Sequence, residues 1–267
     1  MTEQLVTDLR SERGPFDIIG DVHGCADELV ALLELLGYGV VFRGRKSARV
    51  AVTTAPMGRR VFFVGDLVDR GPCSPDVLRI VMAMVEAGQA LCVPGNHDVK
   101  FLKWLNGRNV RLTYGLAETV SQFKAEPQSL RTSVKEFLEG LASHAWLSDG
   151  ELAVAHAGIK EEMLGQTSSS VRHFCLYGET SGERDELGLP VRYHWAVEYQ
   201  GAAAIVYGHT PVPEAEWFNN TLCVDTGCCF GGKLSAVRWP ENEIVSVPAL
   251  KAYAKKVRPF GHPPARV

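Results

Sequence analysis

Five times along this chain a short apolar run ends in a small residue, followed at once or nearly so by an acidic, amide or imidazole side chain. FDIIGDVHG sets Asp21 and His23 after the first run, and VFFVGDLVDRG sets Asp66, Asp69 and Arg70 after the second. CVPGNHD brings Asn96, His97 and Asp98, LAVAHAG brings His156, and AIVYGHTP brings His209. Continuous β-branched and aromatic runs of this kind read as strands covered on both faces. Strands that all deliver polar side chains just past their carboxyl ends commit the chain to an α/β architecture. In open sheets of that class the ligand site lies at those ends.

The segments between the runs agree. DELVALLELLG (27–37) carries an apolar stripe at helical spacing, and SPDVLRIVMAMVEAG (74–88) predicts a second helix, with Ser74 as N-cap and Pro75 in the first turn. With FDIIGD, RRVFFVGD and ALCVPGNHD they spell a βαβαβ unit on a parallel sheet. Residues 99–147 turn helix-forming and predict a helical insertion, after which TLCVDTG and LSAVRWP return to strand character. The expected organisation is an N-terminal extension at 1–15, a catalytic domain at 16–248 containing that insertion, and a basic tail at 249–267 that lies loose on the surface or packs late.

Net charge is −3 over 267 residues, so there is no global electrostatic case for nucleic acid or an anionic membrane. A local basic cluster at Arg43, Arg45, Lys46 and Arg49 is best read as a solvated hairpin tip. The seven cysteines form no CxxC pair, which argues against a zinc ribbon or a disulfide framework and for reduced thiols. With no apolar leader and no membrane-length run, a cytoplasmic location is expected, with no membrane and no protein partner evident.

Any one of these histidines, taken alone, is more often a hydrogen-bonded core residue than a ligand. Their joint placement after apolar strands outweighs that reading, whereas His144, His173, His194 and His262 lack the context and read as ordinary, His194 in VRYHWA being the first candidate for an exception. A mixed carboxylate, imidazole and amide set suits manganese, iron or zinc in a working site better than a structural zinc. GCCFGGKL (227–234) has the glycine and lysine spacing of a phosphate-binding loop. Leu234 stands where Ser or Thr would meet magnesium, and a strand-like run follows, so a hairpin turn is expected there.

Taken together, GDVHG, GDLVDRG, GNHD, AHAG and GHTP resemble the signature of the calcineurin-like dinuclear metallophosphoesterases related to protein serine/threonine phosphatases. The stretches FDIIGDVHGCADEL, FCLYGETSGERDELGLPVRYHWA and VDTGCCFGGKLSAVRWPENEIVSVPA further resemble the phosphatase module of bacterial polynucleotide kinase-phosphatase. The resemblance implies an αββα sandwich of two mixed sheets flanked by helices. It implies one divalent metal on Asp21, His23 and Asp66, and a second on Asp66, Asn96, His156 and His209, with manganese favoured over iron, zinc, nickel or cobalt. A water activated by both ions would attack phosphorus. His97 would act as general acid, Asp69 would orient it, and Arg70 would grip the phosphate, with Asp225 as a further substrate contact.

The implied function is removal of phosphate from nucleotide or RNA-end phosphoesters, 2′- or 3′-phosphates and 2′,3′-cyclic ones among them. Diadenosine tetraphosphate hydrolysis is the first alternative, since its enzymes share the five motifs. A protein phosphatase is disfavoured by Asp98 and Ala157, where that group usually carries glutamate and glycine. A non-catalytic binding module ranks last, because no ligand position is missing.

Overall fold

Strand β1 (Phe16–Ile19) shows how the sequence builds the layers. Phe16 and Ile18 point to one face and Ile19 to the other, and all three are fully enclosed, as the period of two requires when both faces are covered. The computed structural model describes residues 5–44, 48–186 and 188–265. After β1 come helix α1 (Ala26–Leu35), a hairpin of β2 (Gly39–Arg43) and β3 (Val50–Thr54), and then β4 (Arg60–Phe63). Helix α2 (Ser74–Glu86) leads to β5 (Ala90–Cys92), which lies parallel to β4 as β4 does to β1. Ser74 is the first helical residue and Cys73 holds the cap position, one residue earlier than the sequence suggested. The Ser74 hydroxyl meets Thr119 Oγ1 at 3.3 Å instead.

Three helices follow: α3 (Asn96–Leu105), α4 (Leu116–Lys124) and α5 (Gln128–Glu139). The stretch expected to be helical to residue 147 ends as strand β6 (His144–Leu147), paired antiparallel to β7 (Leu152–Ala155). The short apolar HAWL has its neighbours across a sheet, which local propensity cannot register. Helix α6 (Ser169–Tyr177) precedes a second hairpin, β8 (Glu179–Arg184) with β9 (Pro190–Tyr193). Then come β10 (Ala204–Tyr207), β11 (Trp217–Phe218), β12 (Thr221–Cys223), β13 (Lys233–Trp239) and β14 (Glu243–Pro248).

The strands make two mixed five-stranded sheets, ordered β14-β13-β1-β4-β5 and β11-β12-β10-β7-β6. They pack face to face through Phe16, Ile18, Phe62 and Val64 against Val154, Val206, Leu222 and Val224. Each large side chain so enclosed contributes about 1.5–3 kcal/mol of transfer free energy. Leu29, Leu32 and Leu33 of α1 and Val77, Val81 and Met84 of α2 cover the outer face of the first sheet. Val171, Phe174 and Trp195 cover the outer face of the second, giving the αββα order. GCCFGGKL runs into strand β13, not a helix, so no phosphate-binding loop of that type forms.

The chain after β14 is held to the body. Leu250 N–H and Tyr253 Oη donate to Glu28, Gly261 N–H donates to Pro211 O, and His194 N–H donates to Pro264 O. Of the two expectations for the tail, these contacts agree with packing onto the body; most are made by backbone groups, which carry no composition signal. Among the described residues no helix is long and apolar enough to cross a membrane.

Candidate dinuclear metal centre and active site

Six parallel strands, three from each sheet, point their carboxyl ends at one place. The loop after β1 supplies Asp21 and His23, the loop after β4 supplies Asp66, Asp69 and Arg70, and the turn from β5 into α3 supplies Asn96 and His97. His156 follows β7, His209 follows β10 and Asp225 follows β12. The turns are tight: His23, Asp66, Asp69, Arg70 and His209 all take positive φ, between 45° and 73°. Non-glycine residues held there cost of order 1–3 kcal/mol each and gather where function over-determines them.

Asp66 is the hub. Its Oδ1 accepts the His97 N–H at 2.9 Å and lies 3.5 Å from His156 Nε2, while Oδ2 lies 3.4 Å from His23 Nε2. Burial alone would raise this carboxyl, but His156, His97, His23 and His209 around it outweigh that and hold it well below the usual range. His23 donates Nδ1–H to Val68 O at 2.8 Å, and His156 donates Nδ1–H to Val64 O at 3.1 Å. Each Nε2 lone pair is thereby turned inward, an outer arrangement common to metal-binding imidazoles. Burial pushes His23, His156 and His209 down, which keeps the rings neutral and able to ligate.

Two groups of donor atoms converge within 4.8 Å of one another here: His23 with Asp66 and His97, and Asp66 with His156 and His209. His156 Nε2 faces Asn96 Oδ1 at 3.1 Å and His209 Nδ1 at 3.0 Å, so three potential ligand atoms converge on one spot. His209 Nε2 is buried with no hydrogen-bond partner. On the other side the Arg70 guanidinium rests on His23 Nε2 and, at 3.0 Å, on His97 Nε2, a cation already seated on imidazole lone pairs. This donor set fits divalent cations.

Asp21 stands slightly apart from both groups. Its carboxylate accepts the His209 N–H at 3.0 and 3.2 Å, and burial, then Asp225 and Asp66, raise it well above the usual range. Asp225 is itself held up at about 7, chiefly by burial, and accepts the Gly227 N–H at 3.0 Å.

His97 is clamped. Its Nδ1–H donates to Asp69 Oδ2 at 2.6 Å, and Asp69 Oδ1 accepts the Thr119 hydroxyl at 2.7 Å. Thr119 belongs to α4, so the helical segment after α3 braces the site. Asp98 is a helix cap and loop tie: it accepts the Gly95 N–H at 2.8 Å and the Leu67 N–H at 3.0 Å. That joins the GNHD and GDLVDRG turns.

Sequence reasoning passed over two neighbours. Arg192 of β9 is partly buried; desolvation pushes its guanidinium down, and the charges of Asp66 and Arg70 act on it. Phe230 lies under Arg70, with the guanidinium carbon 4.9 Å from the ring centre. Neither follows the carboxyl end of a buried strand, the pattern that marks the other site residues in the sequence. The basic cluster fares differently. Arg49 pairs with Asp76 and stacks on Phe42, while Arg45 and Lys46 lie outside the described residues.

Residues 14–213 match the family described as calcineurin-like phosphoesterase. The chain belongs to that family. It is therefore a metal-dependent hydrolase of phosphoesters, from a family built on a dinuclear metal centre. It is 45% identical, over 92% of its length and 99% of the relative's, to the asymmetrical bis(5′-nucleosyl)-tetraphosphatase PrpE of Anoxybacillus flavithermus. The protein of the same name from Bacillus subtilis is 42% identical over 89% of this chain and 96% of its own. A crystal structure provisionally named a diadenosine tetraphosphatase superposes with a TM-score of 0.64 at 24% identity, over 92% of this chain and 99% of that one, a likeness of fold. These relatives favour the tetraphosphatase alternative over the RNA-end reading, and the likeness to the kinase-phosphatase module stands at the level of the calcineurin-like family.

Proposed function

We propose that this phosphoesterase hydrolyses dinucleoside polyphosphates, cutting a tetraphosphate bridge asymmetrically into a nucleoside monophosphate and a nucleoside triphosphate. The observation that carries the reading is the 45% identity to a tetraphosphatase across nearly the full length of both chains. The partly buried Arg192, on which the charges of Asp66 and Arg70 act, adds support, because two guanidiniums suit a run of phosphates better than a single terminal one.

One ion would be held by Asp21, His23 and Asp66, and the other by Asp66, Asn96, His156 and His209. Manganese is the favoured metal, since the donors are carboxylate, imidazole and amide with no thiolate. Bound there, the pair would supply Lewis acidity and a water acidic enough to attack near neutral pH. The protein's own groups do the rest. Arg70, steadied on Phe230, holds non-bridging phosphate oxygens. His97 delivers a proton from Nε2 to the departing phosphate oxygen, while Asp69 stabilises the imidazolium and fixes its tautomer. Asp225 adds negative charge near Asp21 and is the further substrate contact.

The test is product analysis with manganese-loaded protein on diadenosine tetraphosphate, a short RNA ending in a 2′- or 3′-phosphate, and a phosphoserine peptide. Mono- and triphosphate in equal amounts are expected from the first, with little turnover of the others. Two diphosphates, or a preference for the RNA end, would overturn the assignment of substrate.

A further inference from the structure

Beneath the catalytic loops lies a second group of potential ligands, apart from the histidine cluster. Cys25, Glu28 and Cys228 are 0%, 2% and 1% exposed, and one donor atom from each lies within 4.8 Å of the others. Cys25 is the N-cap of α1 and Glu28 its third residue, so two of the three sit on the positive end of a helix. Cys228 arrives from the GCCFGG turn. Glu28 Oε1 is occupied by the Leu250 N–H at 3.0 Å and Tyr253 Oη at 2.8 Å. Its Oε2 is buried with no hydrogen-bond partner, a state that costs about 1–3 kcal/mol for a neutral acceptor and more for a charged one.

We infer that Cys25, Glu28 and Cys228 form an additional site for a thiophilic divalent cation of the zinc class, separate from the dinuclear centre. Two sulfurs on a tetrahedral zinc are about 3.8 Å apart, so the cluster needs to close by no more than about 1 Å. Glu28 would ligate through Oε2 and keep its two donors on Oε1. Uptake releases the two thiol protons to solvent, and two thiolates with one carboxylate around a dication leave one net negative charge. That charge falls at the N-terminus of α1, which favours it.

The consequence is mechanical. Cys25 closes the loop that carries Asp21 and His23. Cys228 opens the turn whose next residues, Cys229 and Phe230, lie against Arg70. The Cys229 carbonyl also accepts the Tyr253 and Ala254 N–H groups at 2.9 and 3.0 Å. A cation here would pin a ligand loop, the Arg70 platform and the C-terminal segment to one another.

The experiment is a cobalt titration of reduced, metal-free full-length protein under anaerobic conditions, read by ultraviolet thiolate-to-cobalt charge transfer and by bound metal. The histidine centre contains no thiolate and cannot produce that absorption, so the readout is independent of the catalytic proposal. One cobalt equivalent carrying the band is expected, in addition to those held at the histidine centre. Cys228→Ser should abolish the band, and Glu28→Gln should weaken the cobalt that carries it about tenfold or more. Both variants should keep cobalt at the histidine centre and a native circular dichroism spectrum. Saturation of the histidine centre without a thiolate band, or a band that survives Cys228→Ser, would overturn the inference. So would recovery of Cys25 and Cys228 as a disulfide that, once reduced, binds no cobalt.

Discussion

Gly208 precedes His209 in the GHTP motif, and its missing side chain sets the position of Asp21. A Cβ built there would lie 1.9 Å from Asp21 Oδ1, with Val64 Cγ2 at 3.0 Å blocking the other way. Ordinary contact begins near 3.4 Å, so in Gly208→Ala the carboxylate oxygen must retreat by about 1.5 Å. That breaks the hydrogen bond from the His209 N–H, now 3.0 and 3.2 Å from the two oxygens. A hydrogen bond to a buried charge is worth about 1.5–3 kcal/mol. A loss of about 2 kcal/mol in the binding of the ion that Asp21 holds corresponds to roughly a thirtyfold rise in Kd. Turnover should fall at least as far, since misplacement by an ångström near the chemistry can cost about a hundredfold. The assay is calorimetric titration of metal-free protein with manganese, alongside a thermal melt and initial rates. Gly140→Ala is the control, because its Cβ would meet nothing nearer than 3.5 Å. If Gly208→Ala bound both ions with wild-type affinity and turned over normally, Asp21 would not be a ligand and the reasoning would fail.

Other expectations follow from the same geometry. His97→Ala should leave metal binding intact and cut turnover of the tetraphosphate by about 10²–10⁴, with a much smaller effect on p-nitrophenyl phosphate, whose leaving group needs no proton; an equal loss on both would remove the general-acid role. Arg192→Ala should raise KM about tenfold with a smaller change in kcat, and Arg192→Lys should recover only part of it, because a point charge cannot fork two oxygens; steady-state rates over a range of substrate concentrations decide it. His144 is fully enclosed and its Nε2 accepts the Gly165 N–H at 3.1 Å, and burial pushes the imidazole from 6.5 down to about 4. As pH falls from 6.5 to 4 the unfolded chain takes up a proton that the folded chain refuses, so stability drops across that window, by about 3 kcal/mol in all. Urea titrations at several pH values should show a shallower acid slope for His144→Gln than for wild type; parallel slopes would refute the assignment.

The five strand-end motifs were legible because buried strands leave a strong mark. Runs such as VFFV and LAVA admit no polar residue, so the first polar side chain after each is exposed as a deliberate placement. The two helices of the first half were legible for the same reason, through their apolar stripes. Strand β6 was not, because HAWL is stabilised by β7 and carries no pattern of its own. Asp98 stands where the protein phosphatases usually carry glutamate, yet its work as a cap on α3 and a tie to Leu67 depends on how two turns meet.

The amino-acid sequence by itself determined the class of fold, the set of side chains that gather at the site, and the metal-dependent chemistry those side chains allow. Each of these is a matter of local pattern: periodicity, residue type, and order along the chain. Tertiary structure alone decided that Thr119 braces Asp69 and that Phe230 lies beneath the guanidinium of Arg70. It also brought Cys228 to Cys25 and Glu28 across about two hundred residues of chain. Those contacts join separate elements, and no window of sequence holds both partners. Their geometry comes from two sheets packing face to face, which is a property of the whole chain at once.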